Sequence, residues 1–196
     1  MWLKYQKMKK IAIFASGSGT NAENLIKYFS NEMCASVSLV LTNKPDAYVI
    51  ERAALYSVRC EIFDRNDLYN TERVSNILDS AKIDFVVLAG FLWLVPAKII
   101  SAYKGRIVNI HPALLPDYGG KGMYGSRVHR AVIENSESRS GITIHYVNEV
   151  YDAGDIIFQA TCEITSEDNP ESLAAKVHKL EYKHYPQVVK GLIQDL

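Results

Sequence analysis

Short apolar runs alternate with helical stretches through the first half of this chain, and few architectures accept that rhythm. Residues 11–15, 37–41, 60–63, 85–89 and 106–110 read as strands. Residues 22–29, 47–56, 71–81 and 96–103 read as the helices between them, the last opened by a proline in its first turn. Runs that are apolar on both faces belong in a sheet covered on both sides, and strands joined through helices return parallel. The expectation is an α/β fold, a doubly wound and mostly parallel sheet with helices on both faces. After Pro116 the grammar changes. Residues 117–125 are rich in glycine and suit a segment that moves, and 126–134 are helical. Residues 141–147 alternate as a half-buried strand, with 155–164 as its antiparallel hairpin partner. Residues 170–193 form one long closing helix, with an interruption expected near Pro186.

Between the first strand and the first helix stands Ser16-Gly17-Ser18-Gly19-Thr20-Asn21. A strand, a glycine-rich turn and a helix start aim backbone N–H groups and the helix dipole at an anion, so this loop reads as a phosphate site. A simple turn ending in a helix cap needs one polar residue, and four of these six are polar. Gly17, Gly19 and Ala22 also match a dinucleotide fingerprint, which requires an acid near the end of the second strand. That strand runs into Thr42-Asn43-Lys44-Pro45, and the first carboxylate is Asp46. A nicotinamide-dependent oxidoreductase is therefore a remote alternative.

Asn109 and His111 lie two apart on the fifth strand, so both side chains leave the same face just before Pro112 ends it. An amide beside an imidazole at the carboxyl end of a buried strand suits a carbonyl group held by one and an oxyanion stabilised by the other. The same pair also serves a plain strand-end turn. Asp152-Ala153-Gly154-Asp155 has two readings as well, a hairpin turn or the seat of a functional acid.

Composition narrows the classes. Basic and acidic residues balance at 22 each, leaving no electrostatic case for nucleic acid or an anionic membrane as partner. The longest apolar run, residues 85–95, is too short to span a bilayer. Cys34, Cys60 and Cys162 are odd in number and far apart, which argues against a disulfide framework or a zinc site and fits a reducing cytoplasm. The first ten residues carry lysines without the apolar core of a signal peptide. The organisation expected is one domain over residues 9–196, with an amino-terminal phosphate-binding half to about 105, a catalytic half from about 106, and an extension over 1–8.

Ser16–Asn21, Leu88-Ala89-Gly90-Phe91, Asn109-Ile110-His111-Pro112-Ala113-Leu114-Leu115-Pro116 and Asp152-Ala153-Gly154 occur in that order. Together they resemble the phosphoribosylglycinamide formyltransferases, folate-dependent one-carbon transferases of purine biosynthesis, over roughly residues 9–193. The resemblance implies direct attack of the substrate amine on the formyl carbon of 10-formyltetrahydrofolate, with no metal. It implies a catalytic trio of Asn109, His111 and Asp152, in which Asp152 raises the pKa of His111 by opposite charge. It places phosphoribosylglycinamide on Gly19, Thr20, Asn21, His178, Lys179, Leu180 and Glu181. It places folate against Arg65, Leu92, Trp93, Leu94, Val95, Asn109, Asn148, Glu149, Val150, Tyr151 and Asp152. The partners implied are small molecules, and the chain itself would be a monomer or homodimer.

Other readings stand beside these. Trp93 also suits plain core, His129 a surface or packing role, and His145 a supporting place behind the site. The segment 117–125 is longer than the compact turn expected of the family, and a lid is one use for it. Two relatives share the chemistry. A methionyl-tRNA formyltransferase would carry a basic carboxyl-terminal domain, and a formyltetrahydrofolate hydrolase a preceding regulatory domain; the length of this chain disfavours both.

Overall fold

The computed structural model describes residues 8–196. The extension expected over 1–8 lies outside the described residues except for Met8, which is exposed. Strands β1 (Lys9–Phe14), β2 (Ala35–Thr42), β3 (Arg59–Ile62), β4 (Phe85–Leu88) and β5 (Ile107–His111) are parallel, and β6 (Arg139–Tyr146) and β7 (Ile156–Glu163) add antiparallel. The order across the sheet is β3-β2-β1-β4-β5-β6-β7. The helices are α1 (Thr20–Phe29), α2 (Val49–Leu55), α3 (Arg65–Tyr69), α4 (Arg73–Ser80), α5 (Ala97–Ala102), α6 (Ser126–Glu134) and α7 (Pro170–Gln194).

Period-two alternation divides the core between the two faces of the sheet. Ile11 and Ile13 of β1 join Leu25, Val49, Val128, Val177 and Tyr185 from α1, α2, α6 and α7. Ala12 and Phe14 point the other way, to Leu68, Val74, Leu78 and Ile99 from α3, α4 and α5. The parallel strands have to be apolar on both sides because helices cover both.

Three expectations need correction. Helix α3 was absent from the sequence reading; Asp64 and Asp67 close a reciprocal capping box that starts it, and its shortness hides any periodicity. Strand β6 is buried along both faces rather than half-buried. Helix α7 packs over the face of Ile142 and Ile144, and on the other face the chain after β5 folds back onto Thr143, whose Oγ1 donates to Ala113 O and accepts from Leu115 N (2.7 and 2.9 Å). Helix α7 runs unbroken through Pro186. A proline leaves the carbonyl four residues earlier without its helical donor. Here that carbonyl belongs to Tyr182, and Asn24 Nδ2 on α1 donates to it at 2.9 Å.

Candidate active site

In the sheet order β2-β1-β4 the winding direction reverses, and a crevice opens at the carboxyl ends of those strands, where doubly wound sheets bind ligands. Ser16 ties the corner together. Its amide donates to Gly90 O (3.0 Å), its Oγ donates to Asn43 Oδ1 (2.7 Å), and the same Oγ accepts from Leu92 N (3.0 Å). One short side chain thereby joins the loops after β1, β2 and β4.

Helix α1 starts two residues before the sequence reading had it, at Thr20, with Gly19 at its N-cap. Gly19 has φ 74°, and a Cβ there would stand 2.4 Å from Val49 Cγ2, so backbone and neighbour both demand glycine. No side chain caps this end, leaving the first-turn amides open to a ligand. Asn21 Nδ2 donates to Glu181 Oε2 at 2.9 Å, while its Oδ1 is buried without a partner. Burial pushes the Glu181 carboxyl above its ordinary pKa, against the Asn21 hydrogen bond and the neighbouring His178.

The opposite wall is the antiparallel pairing of β5 with β6, which sets Asn109 across from His145 and His111 across from Thr143. His145 Nδ1 lies 2.8 Å from Tyr146 O, and its Nε2 lies 3.1 Å from Asn109 Nδ2. Asn109 Nδ2 also reaches Asp152 Oδ1 at 3.4 Å. Asp152, in the turn between β6 and β7, holds φ 54°. That left-handed geometry is uncommon for a residue with a side chain and collects at functional sites. Its Oδ2 accepts from Gly120 N at 2.9 Å and stands 3.5 Å from His111 Nδ1, and its Oδ1 is 3.6 Å from His145 Nε2. The other nitrogen of His111, Nε2, donates to Tyr118 O at 2.8 Å.

Two forces compete at His111, which is 3% exposed. Burial lowers its pKa; the Asp152 carboxylate and the Tyr118 carbonyl raise it, and burial prevails. The rise expected from Asp152 is therefore present but outweighed, because an ion loses more by leaving water than this partner at 3.5 Å returns. Asp152 shows the reverse balance. Burial would raise its carboxyl, but contacts with His145, His111 and Gly120 N–H together hold it below the ordinary value.

Between these walls lies a cavity of about 590 Å³, within the range of small-molecule sites. It brings together Gly19, Thr20, Asn21, Leu92, Asn109, His111, Tyr151, Asp152, His178 and Glu181, all singled out in the sequence. The remaining candidates stand away from its lining. Trp93 packs against Phe63, Tyr69 and Phe91, and the Arg65 guanidinium sits 5.7 Å over its ring. Val95 belongs to the core, and Leu94 O accepts from Tyr69 Oη. Asn148 bridges Ala153 O and Val150 N and so shapes the turn that carries Asp152. Glu149, Val150 and Lys179 are exposed, and Leu180 packs against the core.

The lining also holds Ser16 of the loop read as a phosphate site, Lys121 of the glycine-rich segment, Lys44 and Arg127, which the sequence did not single out, and His129, expected only at the surface or in packing. His129 is buried, its Nδ1 has no partner, and burial first, then the neighbouring His178 and His111, lower its pKa to about 4. Its signal was a lone imidazole between Val128 and Val132 on the buried face of α6. His145 stands where a supporting residue was expected, outside the cavity lining and in direct contact with Asn109. Only the β5–β6 register reveals this. Among the described residues no group of three or more His, Cys, Asp or Glu is placed to hold a metal ion, and no helix is long and apolar enough to cross a membrane.

The formyl transferase family profile matches residues 9–189, and the chain belongs to that family of transferases. Its relatives narrow the comparison. The chain is 38% identical to the chloroplastic phosphoribosylglycinamide formyltransferase of Arabidopsis thaliana, over 96% of this chain and 67% of that protein. It is 37% identical to the phosphoribosylglycinamide formyltransferase of Bacillus subtilis strain 168, over 95% of each. The crystal structure of phosphoribosylglycinamide formyltransferase from Bacillus halodurans superposes with a TM-score of 0.84 at 39% identity, covering 94% of this chain and 95% of that one.

Proposed function

We propose that this chain transfers the formyl group of 10-formyltetrahydrofolate to the terminal amine of 5'-phosphoribosylglycinamide, with residues 9–196 acting as one catalytic unit. The observation that carries the reading is the convergence of Asn109, His111 and Asp152 on one cavity whose far end is the uncapped start of α1. The phosphate is assigned to the amides of Gly19, Thr20 and Asn21, where helix geometry leaves donors free for an anion. His178 and Glu181 line the cavity on the same side and are assigned to the ribosyl-glycinamide portion. Leu92 and Tyr151 begin the folate wall. The Arg65–Trp93 pair supports that wall from behind its lining.

In the reaction a bond forms from the amine nitrogen to the formyl carbon, and the bond from that carbon to the folate nitrogen breaks. One proton leaves the attacking amine and one reaches the departing nitrogen. Asn109 Nδ2 has a long 3.4 Å contact to Asp152, the donor most easily surrendered to a formyl oxygen. His145 holds the amide from behind and so fixes which end of Asn109 faces the carbonyl. His111 sits between two acceptors, Tyr118 O and Asp152 Oδ2, and only the imidazolium presents an N–H to each. Asp152 favours the charged ring that stabilises the oxyanion and faces the path along which the proton passes. Placement in a reducing cytoplasm is part of the same proposal, supported by three free cysteines.

The decisive assay is turnover of purified protein with both substrates, following release of tetrahydrofolate. The expected result is release that requires the ribonucleotide and yields its formylated product. Release without the ribonucleotide would replace the reading with a hydrolase, and silence with both substrates would remove it.

A further inference from the structure

The segment between β5 and α6 does more than cover the cavity: three consecutive residues of it touch both titratable members of the candidate catalytic set. Tyr118 O accepts from His111 Nε2 at 2.8 Å, and Gly120 N donates to Asp152 Oδ2 at 2.9 Å. Gly119, between them, has no room for a side chain, since a Cβ would lie 2.6 Å from Leu115 Cδ2 and 3.3 Å from Asp152 Cβ.

Tyr118 holds φ 56°, a conformation that an aromatic residue rarely adopts and that surrounding contacts must maintain. Those contacts are visible. Its phenol donates to Glu137 Oε1 at 2.7 Å and accepts from Asn135 Nδ2 at 3.0 Å, both from the turn that ends α6, while its ring packs against the core. A carbonyl only accepts hydrogen bonds, so its position beside Nε2 keeps the proton on that nitrogen and leaves Nδ1 as the titrating atom of His111, facing Asp152.

We propose that Tyr118 is a positioning residue for His111: the clamped phenol holds the backbone carbonyl that fixes the ring's tautomer and directs Nδ1 toward Asp152. The proposal rests on the reading of His111 as the group that stabilises the oxyanion. The groups facing His111 are Asp152 from the β6–β7 turn, His145 from β6 and, more distantly, His129 from α6. Tyr118→Phe removes none of them and keeps the ring.

The test compares Tyr118→Phe, Glu137→Ala and Glu137→Gln in the full chain. Tyr118→Phe and Glu137→Ala should each lower kcat about tenfold with both KM values within about twofold, because the lost contact serves the transition state more than binding. Losing a well-placed acceptor favours the neutral ring, so the pH limb assigned to His111 should move to lower pH in both variants. Glu137→Gln keeps an acceptor oxygen for the phenol and should restore wild-type kcat and pH profile. Imidazole nitrogen NMR on histidine-labelled protein supplies a readout independent of turnover. His111 should carry its proton on Nε2 in the wild type and lose that preference in Tyr118→Phe. Wild-type kcat, pH profile and tautomer in Tyr118→Phe would overturn the proposal, as would a lowered melting temperature with those three unmoved. An active His111→Ala variant would instead remove the underlying role of His111, while the tautomer measurement still judges the geometry.

Discussion

The two ends of the cavity are built by opposite means. At the α1 end, consecutive residues offer backbone amides, and the requirement on sequence is mainly the absence of side chains where the chain turns, as at Gly19. At the β5–β6 end, side chains far apart in sequence meet across an antiparallel pairing, and burial and mutual contact set their charges. Backbone donors do not titrate and cannot be removed one at a time. Carboxylate and imidazole titrate, and each depends on its neighbours. The first end suits holding an anion with donors that do not change with pH, and the second suits chemistry in which a proton must move.

Removing one charge from the second end while leaving the backbone alone should have the largest effect. Asp152→Asn keeps a residue that tolerates positive φ and retains an acceptor for Gly120 N–H. Formyl transfer should fall by a factor of about 10² to 10⁴ in kcat, with the melting temperature nearly unchanged. Stopped-flow or steady-state rates beside a thermal melt would decide it. Wild-type turnover would place proton transfer elsewhere.

The first end should answer in binding rather than in rate. Gly19→Ala sets a methyl group against Val49 and forces an alanine into a left-handed conformation, at a cost of about 1–3 kcal/mol. KM for the phosphorylated substrate should rise by about tenfold or more, with KM for the folate little altered. Equal damage to both would erase the division of labour between the ends.

The smallest effect at neutral pH concerns His129, which lines the cavity and is buried as the neutral ring. Its pKa is lowered to about 4, below the ordinary histidine value, so between about pH 6.5 and 4 the unfolded chain binds the extra proton. Stability should therefore fall as the pH drops through that window, by roughly 3 kcal/mol, and stay flat above it. Denaturant melts at stepped pH should show the slope in the wild type and a shallower one in His129→Leu. Parallel curves would assign the slope to other groups.

How much of this could be read beforehand follows the same division. The strand–glycine turn–helix at 16–21 was legible because its parts are neighbours in sequence and the strand period of two and the helix period of 3.6 announce the switch. Asn109, His111 and Asp152 could be named because their motifs occur in order, yet nothing in the spacing placed Asp152 at 3.5 Å from His111. The partner of His145 was not legible because strand pairing is a long-range choice: Asn109 meets it only once the β5–β6 register is settled. Pro186 misled for the same reason. A proline does remove a helical hydrogen bond, but the orphaned carbonyl of Tyr182 is met by Asn24 of another helix.

The balance of charge at His111 shows most plainly what tertiary structure alone decides. An opposite charge nearby is a pairwise property, and the motif sufficed to foresee its sign. Burial is collective, set by everything packed around the ring, and here it outweighs the pair. By itself the sequence determined the parallel α/β sheet, the glycine turn and the identity of the polar residues, because local periodicity and backbone sterics act between neighbours. Packing decided which of those residues meet, which nitrogen of His111 holds its proton and how far each pKa moves, because those depend on distances that exist only after the sheet has closed.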